Sequence, residues 1–166
     1  VIANSSYSSI HVFGESGSNA DNMEVYNNTI YSALSGAFGI FLTEGANFKV
    51  YNNVIQGVAN KQLGFGYSNY SVAESDYNQF GNASFLVTTH LYNGTQTYSS
   101  LASWQASTEI IGSLHPDTHS LASNPLLQNG SGNMTQLNDF RLSKNSPSKR
   151  TGKAGVDMGA NIDSVG

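Results

Sequence analysis

Three copies of one phrase recur every 25 residues: Val25-Tyr26-Asn27-Asn28-Thr29-Ile30, Val50-Tyr51-Asn52-Asn53-Val54-Ile55 and the looser Ser75-Asp76-Tyr77-Asn78-Gln79-Phe80. A fixed period of this size marks stacked supersecondary units, none of which buries its apolar face alone. Between the phrases lie short runs rich in β-branched and aromatic residues, with Gly or Asn at the joints. Gly39-Ile40-Phe41-Leu42 aligns with Gly64-Phe65-Gly66-Tyr67 at the same spacing. Ile10-His11-Val12-Phe13 aligns after an insertion of about five residues, which the turn-forming segment from Ser16 to Asn22 absorbs.

No run between the joints is long enough for a crossover helix, and neither a leucine-rich pattern nor the helical period of ankyrin-type arrays is present. The pattern suits an all-β parallel β-helix of about three rungs, each lying over the last at about 4.8 Å. Residues 1–80 form the rungs, and residues 81–166 supply the last strands, a short helix and an irregular C-terminal cap. In such a coil Asn28, Asn53 and Asn78 stack into a ladder, each side-chain amide donating to the next carbonyl. The ladder stands at bends where Asn tolerates the left-handed conformation. Ile30, Ile55 and Phe80 form an apolar column beside it; so do Val25 with Val50, and Ile40 with Phe65.

After Gly81 the period fails. Phe85-Leu86-Val87 reads as one more strand, and Thr97 to Gln105 as a capped helix with Leu101 and Trp104 on one face.

Only 11% of residues are charged, with a net charge of −4 and seven Lys and Arg in all. No basic stripe stands out for a phosphate backbone, so nucleic acid is not the expected partner. No apolar run reaches membrane-spanning length. Cys is absent, which excludes disulfides and thiolate metal sites. Seven Asn-x-Ser/Thr sequons occur, at Asn4, Asn27, Asn69, Asn82, Asn93, Asn129 and Asn133; about four are expected from this composition alone. The opening Val1-Ile2 resembles Val54-Ile55, as if the chain begins within a repeat.

The tail carries Asp76-Tyr77-Asn78, Ser100-Leu101-Ala102-Ser103-Trp104-Gln105, Asp117-Thr118-His119-Ser120-Leu121, Asn124-Pro125-Leu126, Asp139-Phe140-Arg141-Leu142, Asn145-Ser146-Pro147 and Gly155-Val156-Asp157-Met158-Gly159-Ala160. In this order the series resembles the C-terminal end of secreted right-handed parallel β-helix repeat proteins of the pectate-lyase-like superfamily. The resemblance implies a right-handed coil, an extracellular or cell-surface location and a polysaccharide setting. The chain departs from that pattern at Ser148-Lys149-Arg150-Thr151, where small and apolar residues usually follow. No contiguous stretch matches the lyases' acidic calcium cluster.

Glu15 and Glu44 follow corresponding strands, so on adjacent rungs their carboxylates would lie about 5–7 Å apart. They would then bind calcium with Asp21, act as acid and nucleophile in polysaccharide cleavage, or stand as two solvated turn carboxylates. His115, Asp117 and His119 alternate and would share one side of an extended segment as metal ligands, or fix the tail loop as a bonded pair. No cofactor is required by the pattern. Tyr26 and Tyr51 are expected to stack on an outward face, with Phe41 exposed on another, as platforms for sugar rings. The reading is a carbohydrate-binding or structural module. The alternatives are a lyase or glycosidase centred on Glu15 and Glu44, and a self-assembling subunit that pairs through an open first rung.

Overall fold

The computed structural model describes residues 1–3, 5–14, 19–32, 38–58, 61–66, 70–81, 87–91, 94–107, 115–130 and 134–162. Strand is the dominant regular structure among them. In chain order the strands are β1 (Ile2–Ala3), β2 (Ser8–Phe13), β3 (Glu24–Tyr26), β4 (Thr29–Tyr31), β5 (Phe38–Thr43), β6 (Phe48–Tyr51), β7 (Val54–Gln56), β8 (Lys61–Gly66), β9 (Val72–Asp76), β10 (Gln79–Phe80), β11 (Val87–Leu91) and β12 (Gly94–Tyr98). They form three sheets, ordered β1-β4-β7-β10, β12-β11-β8-β5-β2 and β3-β6-β9. From β2 to β10 each pass of the chain contributes one strand to each sheet, and β11 and β12 both extend the sheet that β2 ends. Among the described residues these strands all pair in parallel except in the β11–β12 hairpin.

The register places equivalent residues of successive passes side by side. Val25 lies beside Val50 and Val50 beside Ser75, while Ile2, Ile30, Ile55 and Phe80 form one column. The 25-residue period is nevertheless an average. The link between β7 and β8 is two residues shorter than that between β4 and β5, so Ile40 pairs with Leu63 and Leu42 with Phe65. The expected match of Ile40 with Phe65 is therefore two residues out. A two-residue slip leaves every side chain on its original face, which is why the apolar columns survive it. An irregularity at Phe48/Lys49 restores the longer spacing: Phe48 pairs with Val72, but Lys49 with Glu74.

Ile30, Ile40 and Val50 come from the three different sheets and share one core with Phe48, Ile55, Leu63 and Phe65. The helix α1 spans Leu101–Gln105 rather than starting at Thr97, because Thr97 and Tyr98 belong to β12. Ser100 caps it, accepting from the Ser103 N–H, and its buried Trp104 stacks 6.0 Å from Phe65. The strand expected at Phe85-Leu86-Val87 begins at Val87; Phe85 and Leu86 lie outside the described residues.

The tail builds a second core, in which Leu127, Met134, Phe140, Met158 and Ile162 gather around Val54. Its attachment is specific. The Ala160 N–H donates to Thr29 Oγ1 at 2.9 Å, and the Gly159 and Lys153 N–H groups donate to the backbone and side-chain oxygens of Asn52 at 2.7 and 2.6 Å. Gly159 has φ +87°, and a Cβ there would stand 2.6 Å from Thr29 Oγ1, so only glycine fits this approach.

Candidate functional site

The sheet β3-β6-β9 presents an outward face through simple alternation. Val25 and Val50 point into the core, so Glu24, Tyr26, Lys49 and Tyr51 point away from it. Register then makes two columns, Glu24-Lys49-Glu74 and Tyr26-Tyr51-Asp76. Tyr26 stacks on Tyr51 with ring centroids 5.1 Å apart and planes within 5°. Tyr26 is 49% exposed, so its ring offers a broad area to solvent. Tyr51 is half-buried. The tail reaches it through Lys153, whose Nζ donates to both Glu74 oxygens at 2.7 and 2.6 Å and lies 4.6 Å from the Tyr51 ring centre.

Glu24 binds this face together. Its carboxylate accepts from Lys49 Nζ at 2.7 Å and from the Tyr51 hydroxyl at 2.9 Å. These two bonds, Lys49 first, hold the Glu24 carboxyl below its usual range, and the same contact raises Lys49. The Tyr51 phenol is pushed up to about 12 by burial and then by its bond to the Glu24 carboxylate. The face thus carries neutral, fixed rings in a frame of paired charges. An exposed aromatic face edged by hydrogen-bonding groups has the chemistry to stack against an apolar ring face while offering polar contacts at the rim.

Behind the tyrosines runs the asparagine column. Asn28 Nδ2 donates to Asn53 Oδ1 and Asn53 Nδ2 to Asn78 Oδ1, both at 3.1 Å; the backbone N–H groups of Asn28 and Asn53 donate to the same two oxygens. Asn53 and Asn78 are fully buried. The left-handed residues are not these asparagines but their predecessors, Asn27, Asn52 and Tyr77, with φ between +54° and +56°. The column ends on Asp117. Asn78 Nδ2 donates to Asp117 Oδ1 at 3.0 Å, joined there by Ser120 Oγ at 2.5 Å; Ser75 Oγ and Trp104 Nε1 donate to Oδ2, each at 2.6 Å. Burial pushes the Asp117 carboxyl up, and the donors, from Ser120, Ser75, Asn78 and Trp104, pull it back.

This placement corrects the metal-ligand reading of the tail. Asp117 sits in a left-handed turn, φ +53°, and faces inward, while His115 and His119 are exposed. Nor are Asp117 and His119 a bonded pair: His119 Nδ1 is 2.7 Å from Asp76 Oδ2, and its ring stacks on Tyr77 at 4.7 Å. Among the described residues no group of three or more His, Cys, Asp or Glu converges as a metal site. Asp21 Oδ1 accepts from the Ala46 N–H at 2.8 Å, and Glu44 occupies a left-handed turn at φ +52°. Glu15 lies outside the described residues, as do the sequons at Asn4, Asn69, Asn82, Asn93 and Asn133; Asn27 and Asn129 are exposed.

Phe41 is corrected too. It points away from the core but is only 3% exposed. Its ring stacks on Phe38 at 4.4 Å and His11 at 5.1 Å, and it lies over Gly64 and Gly66, where a Cβ would meet it at 2.7 Å. Two strand glycines opposite an aromatic were the signal for this close approach. Sequence reasoning also missed an aromatic row at Tyr7, His11 and Phe13, of which Tyr7 is 60% and Phe13 53% exposed. The His11 ring is tilted by 51° to Tyr7 and by 60° to Phe13, so the row offers no flat platform.

Comparison with known proteins returned no match: no family model, no curated protein and no solved structure aligns with the chain. Among the described residues no helix is long and apolar enough to cross a membrane.

Proposed function

We propose that this chain is a right-handed parallel β-helix with a C-terminal cap, serving as a carbohydrate-binding module of a secreted or cell-surface protein. Three parallel-rich sheets whose strands recur once per pass, and a buried asparagine column, support the fold reading. The observation that carries the function is the Tyr26–Tyr51 stack: parallel rings, one of them open to solvent, edged by Glu24 and Lys49. The low charge content suits a neutral or weakly charged glycan more than a phosphate backbone. Calorimetric titration with a panel of neutral oligosaccharides tests it. Saturable binding that weakens about tenfold or more in Tyr26→Ala, or about 1.4 kcal/mol, is the expected result. A folded protein that binds none of them, or binds equally well without Tyr26, would refute it.

A second reading, a self-assembling subunit, has its own observation. β1, β2 and β3 each end a sheet, and Val1, Tyr7, Phe13 and Met23 are all exposed in this first pass. Light scattering over a concentration series checks it, with mass rising if copies pair there and staying monomeric if they do not.

A further inference from the structure

Four of the chain's seven cations, Arg141, Lys144, Lys149 and Arg150, converge on one cavity of about 650 Å³, together with Gln128 and Asp157. The other three are Lys49, Lys61 and Lys153, of which Lys49 pairs with Glu24 and Lys153 with Glu74. Linear sequence shows no basic stripe because two separate turns bring these side chains together. We propose that this cleft binds a small oxyanion, either the carboxylate of an acidic sugar or a free inorganic anion. The inference does not depend on the tyrosine face.

The cleft is built on fixed backbone. Its Arg141 side is held by the Leu127–Leu142 bridge, with the Gln128 N–H donating to the Arg141 carbonyl at 2.9 Å. Its Lys149 side is pinned by buried serines: Ser146 Oγ donates to the Pro125 carbonyl at 2.5 Å, and Ser148 Oγ to Gln79 Oε1 at 3.3 Å. Asp157 sets the spacing of the cations, accepting from the Arg150 N–H at 2.8 Å and lying 3.5 Å from Lys149 Nζ. Arg150 holds a left-handed φ of +58° where Gly or Asn would be less strained. Among the described residues lining the cleft, Lys144, Lys149 and Arg150, with Arg141 beside them, stand against the carboxylate of Asp157, which leaves a local positive excess, and a concave wall concentrates that field. The volume lies within the roughly 300–1,000 Å³ of small-ligand sites.

The test titrates the full chain with digalacturonate, its methyl ester, inorganic phosphate and a single-stranded oligonucleotide, at low and high salt. At least one of the two anions is expected to bind saturably, with affinity falling as salt rises, while the methyl ester does not. Tighter binding of digalacturonate assigns the cleft to a sugar carboxylate, and tighter binding of phosphate to a free anion. Lys144→Gln with Arg150→Gly should weaken binding about tenfold or more. Both side chains are exposed and glycine suits φ +58°, so the melting temperature should hold. Asp157→Asn keeps an acceptor for the Arg150 N–H and removes the competing charge, so it should tighten binding several-fold, which a merely structural role would not do. Binding of neither anion, an affinity unchanged in the double variant, or preference for the oligonucleotide over both would overturn the proposal.

Discussion

Among the described residues, the column between residues 24 and 80 hands one hydrogen-bond pattern to its equivalent a period on, whereas the tail between residues 115 and 162 satisfies its polar groups within tight turns and by gripping the sheets. In the first region one hydrogen-bond pattern is repeated, from Asn28 to Asn53 and from Asn53 to Asn78. In the second almost every bond is unique: Ser146 to Pro125, Lys153 to Asn52, Ala160 to Thr29. Repetition gives a column whose interior members have partners on both sides and whose end member does not. A substitution there should cost according to position in the column, while in the tail it should cost according to whichever single bond it breaks.

Asp117 joins the two regions, so its loss should have the largest effect. Asp117→Ala takes the buried acceptor from Trp104 Nε1 and Ser75 Oγ and leaves Asn78 Nδ2 only the Val50 carbonyl, so unfolding free energy in urea should fall by about 4 kcal/mol. Asp117→Asn presents an amide N–H₂ to one of those donors and should cost roughly half as much. The same residue predicts a pH dependence. Its folded value is raised above the unfolded one, so as pH rises past the ordinary aspartate range the unfolded chain releases a proton that the folded chain still holds. Stability should fall across that window, which ends at the folded value. The slope should be absent in Asp117→Asn.

Position within the column comes next. Asn53→Ala removes the side-chain acceptor of the Asn28 N–H and the side-chain donor to the Val25 carbonyl and Asn78 Oδ1, all from a fully buried position, and should cost about 3 kcal/mol. Asn28→Ala, at the half-exposed end, should cost about 1 kcal/mol. Equal costs would show that the two residues are not members of one column. Close approaches sharpen the contrast. Gly64→Ala sets a methyl against the Phe41 ring, and Gly159→Ala sets one against Thr29 while straining φ +87°. Thermal melts should show about 2 kcal/mol for each.

The smallest effect is expected on the tyrosine face. Glu24 is exposed, so Glu24→Gln should leave stability little changed. It removes the anion beside Tyr51, so the phenol should titrate below its present value of about 12 but still above an ordinary tyrosine, because burial remains. Ultraviolet titration of the tyrosines reads this directly.

The spacing of the Asn phrases was enough to place Asn28 against Asn53 and Tyr26 against Tyr51, because a parallel register stacks whatever recurs at the period. It did not show the shorter step between β5 and β8, since a two-residue slip preserves the inward and outward faces. The alternation of His115, Asp117 and His119 suggested an extended strand; a left-handed turn at Asp117 breaks it and sends the carboxylate inward to Trp104. Phe41 looked exposed because alternation gives direction but not cover, and the cover comes from Phe38, His11 and the absent side chains of Gly64 and Gly66. The cationic cleft depends on turns around residues 126–128 and 143–150, whose meeting no local pattern announces.

Amide hydrogen exchange and nuclear Overhauser contacts probe the stacking itself. The side-chain amide protons of Asn53 and Asn78 should exchange slowly, each should contact the side chain or backbone of its equivalent 25 residues away, and the Tyr26 ring should contact the Tyr51 ring. Freely exchanging amides with no contact across that interval would contradict the column and the face built upon it.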